Sequence, residues 1–192
     1  MNNYFIILAA GSSKRFNSKN AKQYTFYKNK ELYEHSIEKA LNSKLFKKII
    51  VVTNKLNYLK KKKYPKQIRI IKGGKQRSDS SFKALKYIKK YNPLNVYIHD
   101  AARPNFSIKL LKNISKNLKK NKAVIPFVSS KDSIKYKIKN KIFNLNRNNS
   151  LLTQTPQAFR FKELYNFASK EKSKVSDEAS LFLNQNYKVK FI

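Results

Sequence analysis

The sequence predicts an α/β domain built on a doubly wound, mostly parallel sheet. Five short apolar runs are nearly continuous rather than alternating, which is typical of strands covered on both faces. Segments with the apolar spacing of amphipathic helices lie between these runs. Strand and helix alternate at least four times, and folds of this kind bind ligands beyond the carboxyl ends of their strands.

Each element has its own signal in the sequence. The apolar runs predict strands at residues 4–8, 48–53, 68–71, 96–99 and 123–128. Helices are predicted around residues 37–41, after Ser78 and after Ser107, the two serines being helix N-caps whose hydroxyls accept a backbone N–H. Two more helices are predicted at 161–171 and 177–186, and a last strand at 187–192. We expect a single domain over residues 1–192, because this length builds one core of ordinary size.

One segment, residues 131–150, does not fit the alternation of strand and helix. Ile134, Tyr136 and Ile138 occupy alternate positions, and Ile142 and Leu145 follow a Lys-Asn-Lys turn. This pattern predicts a projecting β-hairpin arm; the alternative is a surface loop, since the turn has no glycine. A two-stranded ribbon is marginal in water, and this one exposes apolar side chains on its outward face. We therefore expect the arm to join two copies of the chain as a homodimer.

Composition excludes several classes of protein. The chain has no Cys, which excludes a disulfide scaffold, a thiolate metal site and a cysteine nucleophile and favours a reducing compartment such as the cytoplasm. No stretch approaches the ~18 apolar residues of a membrane span, so we expect no insertion into a membrane.

The charge balance is extreme, with 44 Lys and Arg against 10 Asp and Glu and a net charge of +34. A positive field attracts nucleic acid, an anionic membrane or a polyphosphate substrate. Most of the cations are lysines spread through every segment beside abundant Asn, Ile, Tyr and Phe, as expected from a genome rich in A and T. Charge alone therefore does not separate an enzyme acting on nucleotides from a nucleic-acid-binding module.

Small residues and cations follow three of the predicted strands. The first strand leads into Ala-Ala-Gly-Ser-Ser-Lys-Arg at 9–15, where small side chains admit a ligand and successive N–H groups bind anions. Lys22 comes next, the third strand leads into Gly-Gly-Lys-Gln-Arg at 73–77, and the fourth ends in Asp100. The first of these loops matches neither a P-loop nor a dinucleotide fingerprint, and a plain strand-to-helix turn is the alternative interpretation of it. The convergence of the three strand ends nevertheless indicates a phosphate-binding site.

Seven motifs in order give the sequence a resemblance to a known family. They are Ala-Ala-Gly-x-x-x-Arg (9–15), Lys-Gln-Tyr (22–24), Leu32 with Glu34-His35-Ser36, Gly-Gly-x-x-Arg-x-x-Ser (73–80), His-Asp-Ala-Ala-Arg-Pro (99–104), Gln-Thr-Pro-Gln-x-Phe (154–159) and Asp-Glu-Ala-Ser (177–180). Together they resemble the 2-C-methyl-D-erythritol 4-phosphate cytidylyltransferases, which have the sugar-nucleotide nucleotidyltransferase fold. The resemblance implies transfer of CMP from CTP to methylerythritol phosphate, with release of pyrophosphate and with Mg²⁺ as cofactor.

The resemblance also assigns roles to residues of this chain. Arg15 and Lys22 are the implied catalytic cations. The implied nucleotide-binding residues are Ala9, Ala10, Gly11, Gly74, Arg77, Ser80 and Asp100. Arg103, Ser133 and Arg147 are the implied contacts to the polyol phosphate, the last two reaching a neighbouring subunit from the arm. No protein metal ligand is assigned, and Asp177 with Glu178 is interpreted as a carboxylate pair at a helix start. His35 and His99 are interpreted as structural, because the attacking phosphate is already ionised.

Several departures from the family pattern leave alternatives open. Ser13, Ala21 and Lys75 replace the usual Gly, Pro and acidic residue, and the family's C-terminal segment with its Asn-x-Lys-x-Thr motif is missing. From this departure we expect a truncated product, an incomplete gene product or the leading part of a fused enzyme, and the three alternatives stay open. We expect it to bind CTP better than it turns over methylerythritol phosphate. The alternative functions are a cytidylyltransferase for another polyol phosphate, such as ribitol 5-phosphate, and a basic nucleic-acid-binding module.

Overall fold

A computed structural model describes residues 2–12, 21–171 and 175–192. Its centre is a seven-stranded, mostly parallel sheet with helices on both faces. The predicted doubly wound α/β class is confirmed.

The strands and helices have the following bounds. The strands of the main sheet are β1 (Asn3–Ala9), β4 (Lys48–Thr53), β5 (Ile68–Lys72), β6 (Asn95–Asp100), β7 (Ala123–Ile125), β12 (Gln157–Arg160) and β13 (Lys190–Phe191). Their order across the sheet is β13-β7-β12-β6-β1-β4-β5. All neighbouring strands pair in parallel except β12, which is antiparallel to both β6 and β7. Three two-stranded ribbons are formed by β2 (Phe26–Tyr27) with β3 (Lys30–Glu31), β8 (Phe127–Ser129) with β11 (Leu151–Thr153), and β9 (Ile134–Ile138) with β10 (Lys141–Leu145). The helices are α1 (Leu32–Asn42), α2 (Leu56–Lys60), α3 (Arg77–Lys89), α4 (Ile108–Leu118), α5 (Phe161–Lys170) and α6 (Glu178–Leu183).

The sheet divides the core into two layers, and β1, between β6 and β4, contributes side chains to both. Phe5 and Ile7 point into the layer covered by α1 and α4, whereas Tyr4 and Ile6 point into the layer covered by α3, α5 and α6. All four side chains are fully buried. Burial on both faces explains why this strand is a continuous apolar run in the sequence.

Two sequence-based expectations differ from the structure in detail, a third is confirmed, and one strand of the main sheet was not predicted. The run 123–128 is two strands, because Pro126 interrupts it and β8 leaves the main sheet to pair with β11. Helix α3 is capped by Gln76 with Asp79 in a capping box, so the expectation that Ser78 is the cap was wrong. The cap at Ser107 is confirmed, since its hydroxyl accepts the N–H of Leu110 at 3.0 Å. Strand β12 was not predicted.

The predicted β-hairpin is present and carries an exposed apolar face. In the register of β9 and β10, Tyr136 lies opposite Phe143 and Ile134 opposite Leu145, so these side chains share one face. Tyr136 and Phe143 are 53% and 46% exposed. Lys139 supplies the turn with φ of 50°, the left-handed conformation that a glycine would otherwise take. Among the described residues, no helix combines the length and the apolarity that a membrane span requires.

His99 is buried in the core below the end of β6, as expected of a structural residue. Its Nε2 lies 3.1 Å from the hydroxyl of Ser36 in α1, and its Nδ1 lies 2.9 Å from the hydroxyl of Thr155. Thr155 in turn accepts the N–H of Asp100 at 3.3 Å. Burial lowers the pKa of His99 to about 3, so the imidazole is neutral at pH 7.

The depressed pKa of His99 predicts a specific acid sensitivity. Between its ordinary pKa of about 6.5 and the folded value of about 3, the unfolded chain binds a proton that the folded chain does not. Stability is therefore fully present above pH ~6.5 and is lost as the pH falls. Between pH 7.0 and 5.5, the free energy of unfolding should decrease about 1 kcal/mol more in the wild type than in His99→Gln. Urea titrations at both pH values measure this difference, and parallel pH dependence of the two proteins would contradict it.

Candidate active site

A cleft of about 440 Å³ lies at the carboxyl ends of β1, β5 and β6. This is the edge at which a doubly wound sheet binds its ligands. The cleft is lined by Leu8, Ala10, Gly11, Ser12, Gln23, Asn54, Gly74, Lys75, Gln76, Arg77, Ser80, Asp100, Ala101 and Ala102. Six of the seven predicted nucleotide-binding residues are in this set, and the exception is Ala9, whose side chain is buried in the core below the cleft.

The loop after β1 has its carbonyl groups bonded to side chains of the protein. The Gln23 amide donates to the carbonyls of Ala9 and Gly11 at 2.9 and 2.6 Å. The Tyr24 hydroxyl also donates to Ala9, and the Asn54 amide donates to Ala10 at 2.8 Å. The backbone of this loop therefore has a fixed orientation beside the cleft.

The two glycines after β5 are required by close packing. A Cβ on Gly73 would collide with the Cβ of Ala10, and one on Gly74 would collide with the Cβ of Asp79. The Ser80 hydroxyl accepts the N–H of Gly74 at 2.9 Å and donates to the carbonyl of Gln76 at 3.0 Å. Ser80 therefore stabilises the turn through these two hydrogen bonds. Gly74 itself lines the cleft.

Arg77 joins three parts of the fold at the wall of the cleft. Its Nη1 and Nη2 donate to the two carboxylate oxygens of Glu178 at 3.0 and 2.9 Å, and its Nε donates to Asp100 Oδ1 at 3.1 Å. Burial lowers the pKa of Arg77, but the charges of Glu178 and Asp100 raise it by more, so the group stays ionised. Arg77 thus lies at the predicted site, but its guanidinium is paired with the carboxylates of Glu178 and Asp100. The ion pair with Arg77 holds the Asp100 side chain in place.

The helix-start interpretation of Asp177 agrees with its contacts. Its carboxylate accepts the N–H of Ser180 at 3.1 Å as the N-cap of α6, and it also accepts the amide of Gln157 at 2.8 Å. Burial raises the pKa of Asp177, but these hydrogen bonds lower it by more, and the net pKa is below its ordinary value. Its neighbour Glu178, 3% exposed, serves as the partner of Arg77.

The other predicted residues lie around the cleft or outside it. Lys22 is exposed in a short 3₁₀ helix, Lys22–Tyr24, and Arg15 lies outside the described residues. Arg103 is at the rim, with Nε 3.5 Å from Asp100 Oδ2 and Nη1 2.7 Å from the Gln154 side chain. Ser133 and Arg147 lie in the arm and do not line the cleft of their own chain.

Two cleft residues have little or no signal in the sequence. Asn54 follows β4 in a segment with no motif, and only the fold brings it beside Ala10. Gln23 belongs to the Lys-Gln-Tyr motif, but its two hydrogen bonds to the first loop depend on tertiary structure. The pairing of Glu178 with Arg77 likewise joins residues 101 positions apart.

Comparison with known proteins agrees with this geometry. A sequence model of the family "IspD: 2-C-methyl-D-erythritol 4-phosphate cytidylyltransferase" matches residues 4–192. The chain belongs to this family. It is 50% identical over its whole length to a "Bifunctional enzyme IspD/IspF" from Pelagibacter ubique (strain HTCC1062), of which it covers 52%. It is 33% identical to a 2-C-methyl-D-erythritol 4-phosphate cytidylyltransferase from Thermosipho africanus (strain TCF52B), with 96% of the chain and 85% of that relative covered.

Solved structures of this cytidylyltransferase family have the same fold. The protein from Francisella tularensis aligns with a TM-score of 0.85 at 30% identity, covering 100% of this chain and 90% of that one. The synthase from Anaerococcus prevotii DSM 20548 aligns with a TM-score of 0.86 at 30% identity, covering 99% and 87%. The chain thus spans about half of the bifunctional relative and most of the relative from Thermosipho africanus.

The glycines at the cleft predict separable effects on folding and on CTP binding. Gly73→Ala should lower the free energy of unfolding by about 1–3 kcal/mol, because the added methyl group collides with Ala10. Gly11→Ala should change it by less than about 0.5 kcal/mol, because a Cβ there has no described atom within 4 Å. The methyl group of Gly11→Ala occupies space in the cleft, so the affinity of this variant for CTP should fall by about tenfold. Chemical denaturation and CTP titration measure the two effects, and normal CTP binding by Gly11→Ala would remove Gly11 from the nucleotide site.

Proposed function

We propose that this chain transfers CMP from CTP to 2-C-methyl-D-erythritol 4-phosphate and releases pyrophosphate. The observation that carries the proposal is the single cleft in which the Ala-Ala-Gly loop, the Gly-Gly turn and Asp100 meet at adjoining strand ends. Membership of the IspD family supports the same reaction. The cytoplasmic location expected from the cysteine-free sequence stays a prediction.

The reaction requires positioned charge and no protein nucleophile. A phosphate oxygen of the acceptor attacks the α-phosphorus of CTP, forming a new P–O bond as the bond to the β-phosphate oxygen breaks. The electron pair of that bond leaves with pyrophosphate, and no net oxidation occurs. Lys22 and Arg15 stabilise the charge that develops on the α-phosphate and on the leaving group, which is the role of preorganised cations in transfer reactions.

Mg²⁺ is proposed as the cofactor, carried largely by the nucleotide phosphates. Mg²⁺ commonly binds through one or two carboxylates together with substrate phosphates and water. Asp100 is the one carboxylate among the described residues that line the cleft, and no group of three or more metal-ligating side chains occurs in that part of the chain. Asp100 therefore fits as the protein ligand, and Mg²⁺ when bound would neutralise phosphate charge.

The arm is proposed to complete the acceptor site across a homodimer. The apolar face of β9 and β10 continues into a groove of about 400 Å³ at its base, lined by Ile134, Leu145, Leu151 and Leu152 with neighbouring polar residues. A second copy of this face would cover it through a self-complementary two-fold contact. Ser133 and Arg147 at the arm would then bind the acceptor phosphate in the partner's cleft, and Arg103 would bind it from the rim.

Turnover tests the reaction and its alternatives. We expect CTP and Mg²⁺ with methylerythritol phosphate to release pyrophosphate faster than with ribitol 5-phosphate, and other nucleotides to be poor donors. Lys22→Ala and Arg15→Ala should each lower kcat by about 10²–10³ with smaller effects on CTP binding, because each removes a transition-state cation. Near-normal kcat in both variants would contradict their assignment. Binding of nucleic acid with a steep salt dependence and no CTP specificity would favour the binding module instead.

Mixing of subunits tests whether the site is shared. Lys22→Ala and Arg147→Ala should each be nearly inactive alone. After subunit exchange, about half of the dimers are mixed and one of their two sites has both cations, so activity should recover to about a quarter of wild type. Sedimentation verifies that dimers form. The dimer affinity should rise with salt, because salt screens the repulsion between two chains that each carry a net charge of +34. No recovery despite proven exchange would mean that the arm serves its own subunit.

A further inference from the structure

Gln23 occupies an unusual place beneath the loop that follows β1. The residue is 4% exposed, and its single amide nitrogen donates to the carbonyls of both Ala9 and Gly11. A buried amide that bridges two carbonyls two positions apart fixes the intervening backbone much more tightly than one hydrogen bond would. Asn54 adds a third hydrogen bond from the end of β4 to Ala10 in between.

The orientation of these carbonyls determines where the N–H groups point. In a trans peptide unit, the N–H of the following residue points opposite to the carbonyl. Holding the carbonyls of Ala9 and Gly11 toward Gln23 therefore directs the N–H groups of Ala10 and Ser12 away from it. Ala10 and Ser12 both line the cleft, and backbone N–H groups are strong donors to anionic or carbonyl oxygens of a ligand.

Gln23 also connects this loop to the candidate catalytic lysine. Lys22 and Gln23 are neighbours in the 3₁₀ helix Lys22–Tyr24, whose last residue donates through its hydroxyl to Ala9 at 3.0 Å. The edge of the Tyr24 ring packs with Tyr33 of α1 at a centroid distance of 5.8 Å. The 3₁₀ helix is thus fixed to the loop on one side and to the core on the other.

We propose that Gln23 is a positioning residue for the nucleotide, which orients the N–H groups of the Ala-Ala-Gly loop toward CTP and holds Lys22 in register with that loop. The proposal rests on the proposed function, since it takes CTP as the ligand of the cleft. It assigns to Gln23 an effect on the affinity for the nucleotide and, through Lys22, on kcat, because the side chain donates to the carbonyls of Ala9 and Gly11 in the nucleotide loop. The affinity for the acceptor should not change.

Gln23→Met tests the proposal, because Met preserves length and volume but cannot donate. The expected result is a rise of about tenfold in the KM and Kd for CTP, the effect of about one well-oriented hydrogen bond, with the KM for the acceptor unchanged. The matched control is Asn3→Leu, which removes another buried amide that donates to a carbonyl, that of Leu45 at 3.1 Å, at the opposite end of β1. The control should lose stability and keep the CTP constants of the wild type.

The outcomes separate this proposal from the proposed function. If the wild type binds and turns over CTP while folded Gln23→Met has CTP constants within twofold of it, the positioning role is wrong. Equal increases in the KM values for CTP and acceptor, or the same change in Asn3→Leu, would also overturn it as a general loss of structure. If Gln23→Met does not fold, Gln23→Asn is measured, whose shorter amide cannot bridge both carbonyls, with the same selective rise expected. Failure of the wild type to bind CTP would refute the proposed function itself.

Discussion

The bidentate pair of Arg77 with Glu178, extended to Asp100, is the interaction on which the candidate site depends. It connects the start of α3, the start of α6 and the end of β6. These three elements are distant in sequence, and Arg77 lies 101 positions from Glu178. Two of the ten acidic residues meet this one guanidinium in a chain that has 44 basic residues. The partly buried Arg77 requires these carboxylate partners, because an unpaired ion at such a position would be strongly destabilising.

Around this ion-pair network, half of the residues that line the cleft are Gly, Ala or Ser, whose small side chains leave the backbone accessible. Side chains of Gln23 and Asn54 hold the first loop, and the Ser80 hydroxyl holds the second, so peptide groups of both loops are presented to the cleft in fixed orientations. Rigid, oriented dipoles stabilise a polyphosphate without the reorganisation that flexible side chains would require. The close approach of Gly73 to Ala10 explains why these positions have so little side-chain volume.

The arm differs from the cleft, because its large apolar side chains are exposed. Tyr136, Ile138 and Phe143 are each close to half exposed on a ribbon that has few contacts with the main sheet. Such a surface is unfavourable in water for a monomer and is typical of an interface. The exposed face, together with the absence of Arg147 from the lining of its own chain's cleft, is what supports the proposed homodimer.

The sequence by itself determined the alternation of strands and helices, the arm and the loops at the strand ends, because burial on both faces and the 3.6-residue spacing leave local patterns. It also indicated six cleft residues through motifs that lie next to predicted strands. Strand β12 was missed because its antiparallel insertion between β6 and β7 depends on partners distant in sequence. The support of Ala10 by Asn54 and the pairing of Arg77 with Glu178 were decided only by tertiary structure. These contacts join segments 44 and 101 positions apart, and they form because the sheet brings the ends of its strands together. No local sequence pattern predicts such contacts.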